Sequence, residues 1–279
     1  MKLFDAHNHL QDERFGGKQT DLLAECEKAG IARMVVNGAS ESDWPAVLEL
    51  ARAHRLVLPS FGYHPWYIHE RSANWENELV RFLDATPGAV GEIGLDRWKP
   101  GLSYEGQEEV FLTQLRLAAV RNIPVSIHCL QAWGRLHELL RDHPRPTGGF
   151  VLHSFGGPAE MIPVLAKLGA YFSFPGYYLH ARKSRQRETF RQVPPDRLLI
   201  ETDAPDQPLP DDKNQFPLQD AAGKPINHPA NLVAVYQGLA EFFGEKPEAL
   251  AARVGENFQR VFGNIATPDF TNPSGTIGN

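Results

Sequence analysis

The feature that most constrains this chain is a unit repeated eight times: a short, continuously apolar segment followed by a segment with helical patterning. The apolar segments read as strands over residues 1–9, 32–36, 56–61, 89–94, 123–128, 149–153, 170–174 and 197–201. Helices are expected between them over 20–28, 44–54, 74–85, 104–121, 133–141, 158–168 and 182–190. Thr20 and Ser40 are plausible N-caps, and two further helices, over 230–243 and 247–262, follow a Pro-rich loop at 208–229. Apolar strands joined by crossover helices imply a parallel sheet covered on both faces. Eight such units in 279 residues predict one (β/α)8 TIM barrel with C-terminal helices. The barrel domain is expected over 1–265 and a flexible tail, rich in Pro, Gly, Thr and Asn, over 266–279. An open doubly wound sheet is the alternative; no Gly-x-Gly-x-x-Gly follows the first strand, which counts against a dinucleotide site.

In a barrel of this kind, catalytic groups come from the carboxyl ends of the strands. That is where this chain places its histidines and acids. His7 and His9 end the first strand, and residues two apart on a strand share a face. Glu92 lies in the fourth strand, His128 ends the fifth, His153 ends the sixth, and Asp203 follows the eighth. Any one of these is more often structural than catalytic. Six at one address are hard to assign to chance. Four imidazoles and two carboxylates suffice for two divalent metal ions with positions left for water. Glu92, flanked by apolar residues, is the candidate bridge between the ions. Its burial would cost several kcal/mol without a compensating cation. Zn, Mg, Mn or Ni fits such a donor set.

Other residues are weaker candidates. His64 also ends a strand and is a candidate substrate contact, or a loop histidine stacked under Trp66. Glu201, two residues before Asp203, is placed to orient a ligand or its water from behind. Cys129 reads as a core thiol. His54, His69, His137, His143, His180 and His228 lack the strand-end address and read as surface or loop residues. Tyr63, Trp66, Trp98, Trp133, Tyr177 and Tyr178 fall in loops after strands, where they either stack bases or sugars or pack the loops.

The net charge of -6 and the lack of a basic run exclude a dedicated nucleic-acid binder that works by charge alone. An enzyme that holds one phosphodiester through metal ions needs no such footprint. Cys26 and Cys129 form no disulfide framework. No signal peptide and no membrane span is expected, and with reduced cysteines the reading is a cytoplasmic protein that does not engage membranes; a monomer is also expected.

Asp5-Ala6-His7-Asn8-His9-Leu10, Gly62-Tyr63-His64-Pro65, Gly91-Glu92-Ile93-Gly94-Leu95-Asp96, Leu152-His153-Ser154-Phe155 and Glu201-Thr202-Asp203-Ala204-Pro205 together resemble the TatD family of metal-dependent hydrolases. The resemblance runs to about Phe262. It implies a TIM barrel with two metal ions. His7, His9 and Asp203 would hold one, His128 and His153 the other, and Glu92 would lie between. It also implies a deoxyribonuclease, often a 3′→5′ exonuclease, acting on single-stranded DNA or DNA ends. Asp203 and Glu92 would be the catalytic carboxylates, with Asp203 taking the proton of the attacking water. Two departures stand out. Family members often follow the Ala-Pro block with Tyr-Leu and a basic segment, whereas residues 206–212 here are acidic; and His153 precedes Ser-Phe-Gly-Gly rather than Cys-Phe-Ser-Gly. Arg182, Lys183 and Arg185 are candidates for the missing positive charge. The acidic loop motivates a second hypothesis, a hydrolase of a small amide, lactone or phosphoester. A third is a non-enzymatic binding or quality-control partner with a vestigial site.

Overall fold

A computed structural model describes residues 1–265 of the chain; the expected tail lies outside the described residues. Eight parallel strands run in sequence order: β1 (Leu3–Asn8), β2 (Ile31–Asn37), β3 (Val57–Phe61), β4 (Ala89–Asp96), β5 (Val125–Leu130), β6 (Phe150–Leu152), β7 (Ala170–Pro175) and β8 (Leu198–Glu201). The helices between them are α1 (Gln19–Lys28), α2 (Trp44–Ala53), α3 (Trp75–Ala85), α4 (Tyr104–Arg121), α5 (Trp133–Asp142), α6 (Met161–Lys167) and α7 (Ser184–Thr189). Then follow α8 (Leu232–Phe243) and α9 (Pro247–Phe262). The seam between β8 and β1 is closed by the chain just beyond β8: Asp203 N–H donates to the His7 carbonyl at 3.0 Å, and His9 N–H to the Ala204 carbonyl at 2.7 Å. The buried Asp5 carboxylate staples the same seam, accepting from Thr202 N at 3.0 Å, Thr202 Oγ1 at 2.6 Å and Asn8 Nδ2 at 3.1 Å. The fold is the expected TIM barrel.

The barrel interior is layered. Phe4, Ala6, Val35, Leu58, Ala89, Val151, Tyr171 and Leu199 form one buried cluster with Phe258, Val261 and Phe262 of α9. Contributions from seven strands to one cluster place it inside the barrel, and α9 closes that end as a floor. Two residues further along these strands the inward positions turn small or polar: Asn37, Ser60, Ser173 and Glu201, all buried. The separate apolar cluster between sheet and helices takes the alternate residues, Met34, Val36, Val57, Ile127, Leu152, Phe172 and Ile200 among them. This is the period of two that a strand imposes.

Several boundaries differ from the sequence reading. Thr20 does not cap α1; Lys18 occupies that position without a side-chain cap. At α2 the Asp43 carboxylate, rather than Ser40, reaches back to the N–H groups of Ala39 and Ser40, at 2.9 and 3.2 Å. The two carboxylate oxygens satisfy two donors at once. β5 continues past His128 to Leu130, so that histidine lies within the strand. The helix expected over 158–168 begins at Met161, because Pro158 opens a turn whose carbonyl takes the Met161 N–H at 3.0 Å. The helix expected over 182–190 is one short α-turn flanked by 3-10 segments. The Pro-rich loop contains a hairpin of β9 (Leu218–Gln219) and β10 (Pro225–Ile226). Among the described residues no helix is long and apolar enough to cross a membrane.

A candidate metal centre at the mouth of the barrel

All six strand-end groups come together at the mouth, with Glu92 at the centre. One Glu92 oxygen, Oε2, lies 3.5 Å from His7 Nε2 and 3.3 Å from His9 Nε2. The other, Oε1, lies 2.8 Å from His153 Nε2, 3.2 Å from His128 Nδ1 and 3.6 Å from His64 Nε2. Asp203 Oδ1 is 3.6 Å from both His7 Nε2 and His9 Nε2. A carboxylate with one oxygen toward each of two nitrogen groups has the geometry of a bridge. His64 stands closer than a substrate contact requires. Its ring is edge-on to Trp66, at 5.1 Å between centroids, and also to His128, at 4.5 Å.

The sheet brings these groups within reach of one another. Gly94 of β4 has a φ of +155°, and a Cβ there would run into the His128 carbonyl, so glycine permits the close approach of β4 to β5. Three non-glycine residues at the mouth hold a left-handed backbone: Ser154, Asp203 and Gln207, at φ of 43°, 54° and 52°. Such conformations persist where surrounding contacts over-determine them. Here the Gln207 amide donates to Asp203 Oδ2 at 2.5 Å and to Ser154 Oγ at 2.7 Å.

Three of the imidazoles, those of His7, His9 and His128, are hydrogen-bonded from behind. His9 Nδ1 lies 2.8 Å from the Asn37 carbonyl, which only accepts, so Nε2 of the neutral ring turns a lone pair into the cup. His7 Nδ1 is 2.8 Å from Ser126 Oγ. His128 donates from Nε2 to Asp96 Oδ2 at 3.0 Å and so presents Nδ1 inward. His153 Nδ1 faces Glu201 Oε1 at 3.6 Å, and that oxygen accepts from Ser154 N and Oγ at 2.7 and 2.5 Å. Carboxylate and carbonyl acceptors behind inward-facing imidazoles are the usual support of metal ligands.

The electrostatics of the imidazoles are divided: the Glu92 carboxylate holds His9 up at about 9 and His153 well above its ordinary range, while His7 and His64 are driven down. Burial alone would raise the Glu92 carboxyl, but the charge on the nearby His153 outweighs it and holds the acid well below its usual range. Burial and the nearby His153 push His7 down to about 4, and burial pushes His64 well below its ordinary value; both rings are neutral at pH 7. Glu92 Oε1 is buried next to three imidazole nitrogens, yet makes no properly directed hydrogen bond to any of them. Three sets of side chains can each close on one ion: His7, His153 and Asp203; His7, His9 and Glu92; and His64, Glu92 and His128. The donor set of buried nitrogens and carboxylate oxygens suits a borderline divalent metal.

Asp96 is the functional residue that the residue-by-residue reading passed over. Oδ2 accepts from His128 and, at 2.6 Å, from Trp66 Nε1; Oδ1 accepts from the Trp98 and Lys99 N–H groups at 2.7 and 2.9 Å. The available signal was its place four residues after Glu92, on the same face of an apolar strand. The remaining expectations divide. Cys129 is buried and burial pushes its thiol up, as a core thiol requires. His228 is a loop residue, as expected, but a buried one, and its Nδ1 accepts the Ala230 N–H at 2.9 Å. Tyr63 and Trp133 pack against Trp44 and Phe155, whereas Trp66, Trp98, Tyr177 and Tyr178 line the mouth. The Asp206 carboxylate is taken up by Arg14, in two contacts of 2.8 and 2.7 Å. The mouth opens as a cavity of about 1060 Å³ that includes His9, Glu92, His128, His153 and Asp203 in its wall.

The chain is similar to known proteins along nearly its whole length. The family model described as TatD related DNase matches residues 4–263. The 3'-5' ssDNA/RNA exonuclease TatD of Escherichia coli is 32% identical over 94% of this chain and 99% of its own length. The uncharacterized metal-dependent hydrolase YjjV of Escherichia coli is 29% identical over 94% of this chain and 98% of its own. The crystal structure of YjjV superposes with a TM-score of 0.83, covering 94% of this chain and 98% of that one.

Proposed function

The chain belongs to the TatD-related DNase family, and from that premise we propose that it is a two-metal phosphodiesterase, a 3′→5′ exonuclease acting on single-stranded DNA ends. The observation that carries this reading is Glu92, whose two oxygens face two separate groups of imidazoles. His7, His9 and Asp203 would hold one divalent ion, and His128 and His153 the other, with His64 adjacent and Glu92 between. A divalent ion held by these residues would supply a water of lowered pKa and positive charge against the phosphate.

The chain's own residues do the rest. Asp203 keeps Oδ1 toward His7 and His9, while Gln207 holds Oδ2, so the carboxylate is oriented to receive a proton from an attacking water. Asp96 fixes His128 from behind through a hydrogen bond, and the Glu201 carboxylate faces His153 at 3.6 Å. The small-ester alternative drew on the acidic loop, and the pairing of Asp206 with Arg14 weakens that motive. Two unpaired cysteines support a cytoplasmic setting.

The test joins elemental analysis of the purified protein to cleavage of 3′- and 5′-labelled single-stranded DNA. The expected result is about two divalent ions per chain and stepwise shortening from the 3′ end. Protein that carries no metal and takes up none would favour a vestigial site. Metal-loaded protein that cleaves small esters or amides but no DNA would favour the second hypothesis.

A further inference from the structure

The rim of the mouth is divided by charge. Asp12, Asp43 and Glu70 line it on the loops that follow β1, β2 and β3. On the loops after β4 and β7 stand cations held against aromatic faces rather than against carboxylates. The Lys99 ammonium lies 4.5 Å from the Trp66 ring centroid. Arg182 and Lys183 lie 5.2 and 5.0 Å from that of Tyr177, and Arg182 also donates to the Tyr177 hydroxyl at 2.7 Å. By contrast Arg14, on the acidic side, is engaged by both Asp12 and Asp206. The same arc exposes apolar surface: Trp98 is 60% exposed and Leu130, at the end of β5, 38%. Both border the cavity.

Resting on the nuclease reading above, we propose that a single-stranded nucleic acid crosses the mouth along the arc of loops from β4 to β7. Its bases stack on Trp98 and Tyr177, and its phosphates are drawn by Lys99, Arg182 and Lys183. The acidic half of the rim turns a polyanion away and the basic half attracts it, so the track is set by charge. Ring platforms grip unpaired bases, whose faces are free; a duplex keeps those faces inside its own stack. Trp98 has a direct tie to the centre, because its N–H and that of Lys99 bind the Asp96 carboxylate that holds His128. A base seated on Trp98 therefore sits on a loop whose position is fixed by the support of a metal-site imidazole.

The test measures binding separately from cleavage. Full-length, metal-loaded protein is titrated into a fluorescein-labelled, hydrolysis-resistant phosphorothioate oligo(dT), and into an abasic oligomer of equal length. Trp98→Ala and Tyr177→Ala are expected to raise Kd for oligo(dT) about 5- to 30-fold each, and to affect the abasic oligomer at least fivefold less. Trp98→Phe should recover most of the loss. Lys183→Ala should weaken both ligands and flatten the slope of log K against log salt by about one. Equal losses on the two ligands, or none on either, would overturn the track. Cleavage of unmodified oligo(dT) by the same preparation tests the nuclease reading by itself. Base-dependent binding without cleavage keeps the track and removes that reading; cleavage with no base dependence does the reverse.

Discussion

At the floor of the barrel Val35, Leu58, Val151 and Leu199 close on Phe258 and Phe262 of α9, with no charged side chain among them. At the mouth, on the same set of strands, His7, Glu92, His128, His153 and Asp203 meet in a cup of nitrogens and carboxylate oxygens. Val151 and His153 are two residues apart, and Leu199 and Glu201 likewise, so a step of under 7 Å along a strand crosses from one regime to the other. The floor gains stability by taking apolar surface out of water. The mouth gives stability up, since each buried charge costs several kcal/mol unless a partner compensates. One scaffold thus keeps its cohesion and its chemistry at opposite ends of a single interior. Substitutions at the two ends should then fail in different ways.

The largest effect is expected at the centre of the mouth. Glu92→Gln should lower nuclease activity about 10³-fold or more, the equivalent of several kcal/mol of transition-state stabilisation, with the circular-dichroism spectrum retained. Retained activity would remove Glu92 from the bridge. At the floor, Leu199→Ala should cost about 3 kcal/mol of unfolding free energy in denaturant titration while leaving kcat within about twofold. A loss of activity without loss of stability there would erase the contrast between the ends.

Metal should act on the mouth alone. Divalent ion at 100 times its Kd should stabilise the native protein by about 2.7 kcal/mol, read as a rise in Tm over chelator-treated protein, and Glu92→Gln should abolish that rise. Leu199→Ala should keep it in full. The smallest effect is expected behind the ligands. Asp96→Asn preserves a hydrogen-bond acceptor for His128 but removes its charge, and should weaken metal affinity about 10-fold, measured by competition with a chelating dye. An unchanged affinity would reduce Asp96 to a loop anchor.

The floor and the mouth were not equally legible in the sequence. The strands announce themselves as apolar runs, and the bounds of α4 and α9 match the helical patterning because each has a clear start and stop. The six strand-end groups were visible because side-chain direction on a strand follows from position alone. Asp96 was hidden. An acid at the end of a strand has many possible partners, and which imidazole it reaches depends on how β4 lies beside β5. Gln207 was hidden for a related reason: it belongs to a loop, and its reach back to Asp203 depends on a left-handed backbone that no residue pattern specifies for glutamine. The division of the aromatics between packing and rim likewise needed three dimensions, since Trp133 and Trp98 both follow a strand closely, yet one packs on Phe155 and the other stands 60% exposed.

The seam between β8 and β1 joins the first of the proposed ligands to be synthesised to the last. His7 and His9 leave the ribosome early, but the Asp203 N–H reaches the His7 carbonyl only after nearly two hundred further residues have been made and the circle of strands has shut. A nascent or prematurely terminated chain therefore carries fragments of the cup and never the whole, so hydrolytic competence arrives with the final strand rather than before it.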